Sequence, residues 1–218
     1  MSDPRCLSAA QRLHQARLSR DALAQQTLGD IASLGEAYAV QVAGIGLRVE
    51  AGERVCGVKM GFTSRAKMLQ MGVSEMIIGQ LTDAMRLPDG EQLDPAAFIH
   101  PRVEPELAML LGRDLPPDPG ADDLVRCIEA VAPALEIIDS RFRDFQFDLN
   151  AVVADNTSAA AFVVGTLQRV PAGIDNLGLA MHLTSASGVS ARLVTSAGTT
   201  AAILGDPWRS LAAAARLA

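Results

Sequence analysis

The stretch HPRVEPELAMLLG, residues 100–112, decides how the fold is interpreted. Its second half is a continuous apolar run, which is typical of a strand that is mostly buried in a sheet. Glu104 and Glu106 lie two residues apart, so in a strand both carboxylates point to one face, with backbones roughly 6.6 Å apart. Pro105 between them cannot donate to a neighbouring strand, which favours an edge strand or a bulge. The alternative is a solvated strand face without a ligand.

A third carboxylate strengthens the interpretation as a metal site. Glu136 lies within the apolar stretch PALEIIDS, residues 133–140. A carboxylate in such a strand is costly to bury unless it is paired or binds a metal ion. Three carboxylates without a thiol or imidazole partner favour a hard cation, Mg²⁺ or Mn²⁺, over Zn²⁺.

Lys59 raises the same question with the opposite charge. It lies between Val58 and Met60 and is flanked by Gly57 and Gly61, which would let a ligand approach the backbone. A lysine that protects an edge strand from aggregation would give the same pattern.

Five further residues are candidates on weaker signals. Asp83 in GQLTDAM is one of them, although it could equally cap a turn, and Asn156 could simply satisfy a turn. We predict that substrate is bound by Gly61, Thr63, Asp155 and Asn156.

The surrounding pattern predicts an α+β fold. Apolar spacing predicts an amphipathic helix over residues 8–28, a second helix entered at Ser33 with Glu36 as a capping box, a helix over 122–132, and a helix at the end of the chain. Strands are expected in between, with mixed loop and strand over 148–165 and a hairpin around Ser187 and Gly188. No alternation of strand and helix is sustained, so a doubly wound sheet is excluded. We expect an N-terminal helical region over 1–50 and a catalytic β-rich domain over 51–218.

Composition excludes several classes of partner. The net charge of −6 and the absence of a basic run argue against binding to nucleic acid or to an anionic membrane. The first twenty residues lack the apolar core of a secretory signal, so a cytoplasmic protein is expected. The three cysteines are too few and too far apart for a disulfide framework or a zinc site, and we expect reduced thiols.

Six segments together resemble the hydratase and decarboxylase branch of the fumarylacetoacetate hydrolase family, in order and in approximate spacing. They are EAYAVQ (36–41), GVKMGFTS (57–64), MGVSEMIIGQLTDAM (71–85), HPRVEPELAMLL (100–111), PALEIIDSRFRDF (133–145) and VVADNTSAAAFVVG (152–165). Several ordered motifs are far more specific than any one of them.

The resemblance implies a role for five residues. By position, the metal ligands of the family fall on Glu104, Glu106 and Glu136, the active-site lysine on Lys59, and a neighbouring acidic residue on Asp83, which we expect to hold Lys59 in place. It also implies a mixed β-roll with peripheral helices, a bound Mg²⁺ or Mn²⁺, a homo-oligomer, and a complex between the decarboxylase and the hydratase of the same branch.

The implied activity is decarboxylation of 2-oxohex-3-enedioate to 2-hydroxypenta-2,4-dienoate and CO₂, in the meta-cleavage degradation of aromatic compounds. Hydration of 2-oxopent-4-enoate is the nearest alternative, because the same metal-assisted chemistry serves both reactions. A non-catalytic partner subunit of a related enzyme is the alternative from another class.

One departure concerns the end of the chain. Family members continue past the equivalent of LAAAARLA, residues 211–218, into strands that complete the sheet and part of the pocket. We therefore expect a fold that lacks these usual C-terminal strands, with consequences for sheet edges and activity.

Overall fold

The computed structural model describes residues 3–71, 73–169, 180–184 and 195–218 of the 218-residue chain. The α-helices are α1 Pro4–Ser19, α2 Leu34–Glu50, α3 Arg65–Met71, α4 Ala121–Cys127, α5 Leu149–Ala154 and α6 Trp208–Leu217. The strands are β1 Val55–Gly61, β2 Ile77–Thr82, β3 Arg86–Leu87, β4 Arg102–Leu111, β5 Ile128–Ile138, β6 Ala159–Val164, β7 Ala180–Thr184 and β8 Thr195–Thr199.

The described strands form three sheets. β1 pairs with β2, β7 pairs with β8, and the third sheet has the order β3-β6-β5-β4. The two pairs are antiparallel, whereas β3 runs parallel to β6. This mixture of helices and sheets confirms the α+β prediction. The β7–β8 pair fits the expected hairpin, whose turn at Ser187 and Gly188 lies outside the described residues.

The chain forms two compact units. The first comprises Met1–Gly61, Ile77–Glu104 and Glu136–Val163, and the second comprises Phe62–Met76, Pro105–Leu135 and Val164–Ala218. Three of the divisions between the units fall within continuous strands, in β4, β5 and β6. The division that the sequence analysis places at residue 50 stays a prediction.

Small side chains hold α1 against α2 in the first unit. The buried face of α1 consists of Cys6, Ala9, Ala10, Leu13 and Ala16. Such residues lose little side-chain entropy on burial and let two helix backbones approach closely. The helix ends earlier than predicted, because Arg20 adopts a left-handed conformation with φ 61° and caps it, and a separate 3₁₀ turn covers Gln25–Leu28.

The start of α2 largely follows its sequence signature. The Ser33 side chain accepts a hydrogen bond from the Glu36 backbone N–H at 3.2 Å. The Glu36 carboxylate accepts from the Ala32 N–H at 2.9 Å, one residue before the position that a capping box requires. Two otherwise unpaired N–H groups at this end are thereby satisfied.

Two predicted elements differ from the structure. The helix expected over residues 122–132 ends at Cys127, and β5 begins at Ile128, where β-branched Ile128 and Val131 favour a strand. The segment expected to be loop and strand contains α5, whose start is capped by the Asp148 carboxylate accepting from the Ala151 N–H at 2.8 Å. A short helix of this kind leaves too few periodic positions to be recognised.

Among the described strands, β4 lies at the edge of its sheet, as Pro105 predicts. The strand is less buried than expected, because none of its residues is fully buried and Val103, Leu110 and Leu111 are exposed. An edge strand has a hydrogen-bonded neighbour on one side only, which accounts for the difference.

Cys6, Cys56 and Cys127 are all free, and Cys56 is exposed. In the part of the chain that the structure describes, no helix has both the length and the apolar character needed to cross a membrane.

A buried amide ties α2 to its neighbours. The Gln41 side chain is buried, and its nitrogen donates to the Ile78 carbonyl at 3.0 Å and to the Val153 carbonyl at 2.9 Å. Ile78 belongs to β2 and Val153 to α5, so one side chain satisfies acceptors on two elements. Leaving a buried acceptor unpaired costs about 1–3 kcal/mol.

We therefore expect Gln41→Ala to lower the free energy of unfolding by about 2 kcal/mol, because it removes two buried hydrogen bonds that join α2 to β2 and α5. Chemical denaturation measures the difference. Val42→Ala is the matched control, since Val42 lies on the same helix with 58% of its surface exposed and should lose little. Equal losses in the two variants would contradict the role of Gln41.

Candidate active site

Three glutamates converge at one point, which we call the glutamate cluster: Glu104, Glu106 and Glu136. One carboxylate oxygen from each residue lies within 4.8 Å of the others. Glu104 and Glu106 are on β4 with one residue between them, and Glu136 is near the end of the neighbouring strand β5. The alternating side chains of β4 thus do place both carboxylates toward Glu136. Glu136 is buried, and the other two are partly buried.

Lys59 extends from β1 to the glutamate cluster. Its Nζ lies 3.0 Å from Oε1 of Glu136, and the two side chains are only 10% and 6% exposed. The same Nζ donates a hydrogen bond to the Thr157 carbonyl at 3.2 Å. Lys59 is therefore a buried partner of a carboxylate, which rules out the solvated edge-strand lysine.

The ion pair acts against the cost of burying Glu136. Burial raises the pKa of Glu136, and the neighbouring charge of Glu104 raises it further, while Lys59 lowers it. Three carboxylates and one ammonium leave a formal charge of −2 at this point. A divalent cation would neutralise that charge.

The Thr157 carbonyl is held by a strained segment. Asn156, Thr157 and Ser158 have φ angles of 49°, 50° and 60°, in the left-handed region. This conformation costs each non-glycine residue roughly 1–2 kcal/mol, and most for β-branched Thr157. The Asn156 side chain fixes the segment to β2, since it accepts from the Gln80 N–H and donates to the Gln80 carbonyl, both at 2.8 Å. Strain of this kind persists where surrounding contacts determine it, commonly at functional sites.

Gly79 is a residue that the sequence analysis missed. It lies opposite Lys59 in the β1–β2 register. A Cβ atom there would come within 2.3 Å of Thr157 Oγ1 and 3.1 Å of Lys59 Cδ. Only glycine leaves room for both side chains. A glycine inside the apolar strand IIGQLT is the sequence signal that could have identified this position.

Gly61 and Thr63, predicted to bind substrate, lie at and just after the end of β1. A Cβ atom on Gly61 would come within 2.8 Å of Ile77 Cγ1, so this glycine is required for packing against β2. Thr63 is partly buried. Substrate binding by these two residues stays a prediction.

Asp155 is fully buried and forms an ion pair with the guanidinium of Arg141. It also accepts from the Arg141 backbone N–H at 3.0 Å. Burial raises the pKa of Asp155 to about 6, against the opposing effect of Arg141. Asp155 and Asn156 therefore make contacts with the protein itself, and their predicted contact with substrate stays a prediction.

The expected contact between Asp83 and Lys59 is wrong. Asp83 pairs with Arg54, which donates from its backbone N–H and from its Nε, each at 2.9 Å. These bonds lower the pKa of Asp83. The register explains the difference: Asp83 follows Thr82, which lies opposite Val55, whereas Lys59 lies four residues further along β1. A catalytic role for Asp83 stays a prediction, without the proposed contact.

The arrangement defines a class of site. Several carboxylate oxygens that face one point, without a sulfur or imidazole ligand, form the donor set that hard divalent cations prefer. A buried lysine beside them adds a positive charge at the same place, as in enzymes that act on anionic substrates.

Comparisons with known proteins give the family. A 4-oxalocrotonate decarboxylase from Pseudomonas sp is 49% identical over 209 residues, which cover 96% of this chain and 79% of the relative. A 2-keto-4-pentenoate hydratase from Burkholderia vietnamiensis (strain G4 / LMG 22486) is 39% identical over 217 residues, which cover 97% of this chain and 80% of the relative. No family model matches the chain.

A solved structure agrees with these relatives. The 4-oxalocrotonate decarboxylase from Pseudomonas putida G7, complexed with magnesium and adipate, has a TM-score of 0.82 and 34% identity, and the match covers 100% of this chain and 81% of that one. The chain therefore belongs to the family of 4-oxalocrotonate decarboxylases and 2-keto-4-pentenoate hydratases, which confirms the resemblance to the hydratase and decarboxylase branch.

The close approach at Gly79 can be tested by substitution. We expect Gly79→Ala to lower the free energy of unfolding by about 1–3 kcal/mol, because Thr157 or Lys59 must move to make room for the methyl group. Chemical denaturation measures the loss, and a crystal structure of the variant would show which side chain has moved.

Gly57→Ala is the matched control, since Gly57 is also on β1 and a Cβ atom there meets nothing within 4 Å. A Gly79→Ala variant as stable as this control, with Lys59 in place, would show that the glycine is not required.

Proposed function

We propose that this chain is a divalent-cation-dependent enzyme that decarboxylates 2-oxohex-3-enedioate (4-oxalocrotonate) to 2-hydroxypenta-2,4-dienoate and CO₂. The observation that carries the proposal is the glutamate cluster with Lys59 buried against it. The 49% identity to a 4-oxalocrotonate decarboxylase supports this reaction, and the hydratase relative cited above is less similar at 39%.

The residues present fit a bound Mg²⁺ or Mn²⁺. The donor set consists of oxygens alone, the formal charge of the site is −2, and Glu136 is buried with Lys59 as its counter-charge. We assign Glu104, Glu106 and Glu136 as the ligands. Mg²⁺ usually keeps open positions for water or for substrate oxygens, which suits a 2-oxo acid. The relative of known structure is complexed with magnesium.

The reaction requires a place for an electron pair. Breaking the bond between C5 and C6 releases CO₂, and the pair forms a C4–C5 double bond, shifts the existing double bond to C2–C3 and comes to rest on the 2-oxo oxygen. A proton added there completes the 2-hydroxydienoate. When bound, the divalent cation supplies Lewis acidity toward the oxygen that gains the charge.

Lys59 supplies a positive charge and a transferable proton beside that oxygen. An ammonium carries three donors. One donor goes to the Thr157 carbonyl, and Glu136 lies at ion-pair distance, so at least one donor is left for a substrate. The Thr157 carbonyl and Glu136 fix the direction of the side chain, which is the requirement for a group that must meet a reacting atom.

Hydration of 2-oxopent-4-enoate is the second candidate. The hydratase relative, which the chain matches over 80% of its length, is the observation that favours it. A non-catalytic subunit is disfavoured, because such a protein has no chemical need for three glutamates that face one point.

Three finer expectations belong to the same proposal. We propose a cytoplasmic enzyme that forms a homo-oligomer and associates with the hydratase of the same pathway. Size measurements in solution, with and without the purified hydratase, test the two assembly statements.

The activity is tested with both substrates. In the presence of Mg²⁺, we expect CO₂ release from 2-oxohex-3-enedioate to be at least about tenfold faster, as kcat/KM, than hydration of 2-hydroxypenta-2,4-dienoate, a difference of about 1.4 kcal/mol in barrier. Faster hydration would assign the second candidate instead. If neither reaction responds to Mg²⁺, the chain is not an enzyme of this kind.

Two variants separate the ligands from the lysine. We expect Glu106→Gln to weaken Mg²⁺ binding by about tenfold or more, because it removes one charged ligand.

We expect Lys59→Met to abolish turnover, because the ammonium group is lost. Mg²⁺ binding should be retained or strengthened in this variant, because a positive charge near the cation is removed. Calorimetric titration of Mg²⁺ measures the affinity of both variants, and CO₂ release from 2-oxohex-3-enedioate measures the turnover of Lys59→Met. Exposed Glu91→Gln is the control for charge alone. Unchanged affinity in Glu106→Gln, or a near-normal rate in Lys59→Met, would overturn the assigned role.

A further inference from the structure

The first unit contains a cavity with several basic residues, which we call the basic cavity. His14, Arg17, Arg48 and Arg141 are among the residues that line it. Its volume is about 50 Å³. Because a cavity of roughly 10–15 Å³ holds one water molecule, the space is sufficient for a small anion.

Two of the three arginines form an ion pair and further hydrogen bonds within the protein. Arg141 pairs with Asp155 and donates to the carbonyls of Asp139 at 2.6 Å and Ala159 at 3.2 Å. Arg48 pairs with Glu53 at 2.7 Å and donates to Thr82 Oγ1 at 3.2 Å. Each of these two guanidinium groups therefore has a carboxylate partner and at least one further hydrogen bond.

Arg17 differs from the other two arginines. Its Nε is buried and has no hydrogen-bond partner in the described part of the chain. Burial and the neighbouring charge of Arg48 lower the pKa of Arg17, and burial, Arg17 and Arg48 lower the pKa of His14. An unpaired buried donor costs about 1–3 kcal/mol, and more when it is charged.

The charges around the basic cavity do not balance. Three guanidinium groups line it, and two of them form ion pairs, Arg141 with Asp155 and Arg48 with Glu53, so Arg17 is the lining arginine without an ion pair in the described part of the chain. A planar guanidinium presents two parallel N–H groups, which match the two oxygens of a carboxylate or a phosphate. An oxyanion in the basic cavity would satisfy the buried donor and balance the charge at the same time.

We propose that the basic cavity binds a small oxyanion, a phosphate or a carboxylate, with Arg17 as its principal ligand and His14 and Arg48 beside it. The site is separate from the glutamate cluster, whose formal charge of −2 repels anions when no cation is bound. The proposal does not depend on the decarboxylase activity.

Calorimetry on the full chain in Mg²⁺-free Tris buffer tests the proposal, with inorganic phosphate in one arm and acetate in the other. We expect saturable binding at one site per chain and a matching rise in Tm, since a ligand that binds only the folded state stabilises it. Arg17→Met should weaken binding at least about tenfold, equivalent to 1.4 kcal/mol.

Arg5→Gln is the matched control. Arg5 is on the same helix, and its side chain is 79% exposed, so this variant removes the same charge without affecting the basic cavity. Without an anion, Arg17→Met should be at least as stable as the unmodified chain, because it removes a buried donor that has no partner. A merely structural arginine would give the opposite result.

Binding of phosphate, acetate or both supports the site and identifies which oxyanion it binds. Binding of neither overturns the proposal, as does equal weakening in Arg17→Met and Arg5→Gln. Should Arg17→Met fail to fold, Arg17→Lys keeps the charge but loses the two parallel donors, and unchanged affinity in that variant would also exclude a guanidinium ligand.

Discussion

The buried ion pair between Lys59 and Glu136 is the interaction on which the candidate site depends. Each partner would be costly to bury alone, and removing one would leave the other uncompensated at a cost of roughly 3–5 kcal/mol. The pair also links two sheets, because Lys59 is on β1 and Glu136 is on β5. Well-packed apolar residues would stabilise a protein as well or better, so stability alone does not explain two opposite charges at this depth. A requirement for charge at the site explains why both are buried there.

The neighbours of Lys59 are arranged to keep it in one position. The left-handed segment from Asn156 to Ser158 places the Thr157 carbonyl within hydrogen-bond distance of Nζ. The strain is balanced by the two hydrogen bonds between Asn156 and Gln80 and by the space at Gly79. Folding free energy is thus spent on holding one ammonium still, which is useful when the rate of a reaction depends on its direction.

Sequence alone predicted the convergence of the three glutamates better than their surroundings. The spacing of Glu104 and Glu106 fixes their common face through the geometry of a strand, and an isolated carboxylate such as Glu136 inside an apolar run is conspicuous. The error at Asp83 has a different origin, since closeness to Lys59 depends on a hairpin register that residue types do not specify. Thr157 acts through its backbone carbonyl, a group that every residue has, so its side chain gave no signal. The boundary between α4 and β5 was missed because tertiary pairing decides whether Ile128 continues a helix or begins a strand.

Residues 155–157 show how closely the basic cavity and the glutamate cluster are connected. Asp155 neutralises Arg141 in the wall of the basic cavity, Asn156 is bonded to β2, and Thr157 accepts from Lys59. Three consecutive residues therefore satisfy a guanidinium, a strand and an ammonium in turn. In the sequence, an Asp or Asn with a structural role in such a segment resembles a substrate ligand. Both a structural contact and substrate binding require a polar side chain at a fixed position. Asp155 and Asn156 already have hydrogen-bond partners within the protein, whereas Arg17 has a buried donor that the described chain leaves unpaired.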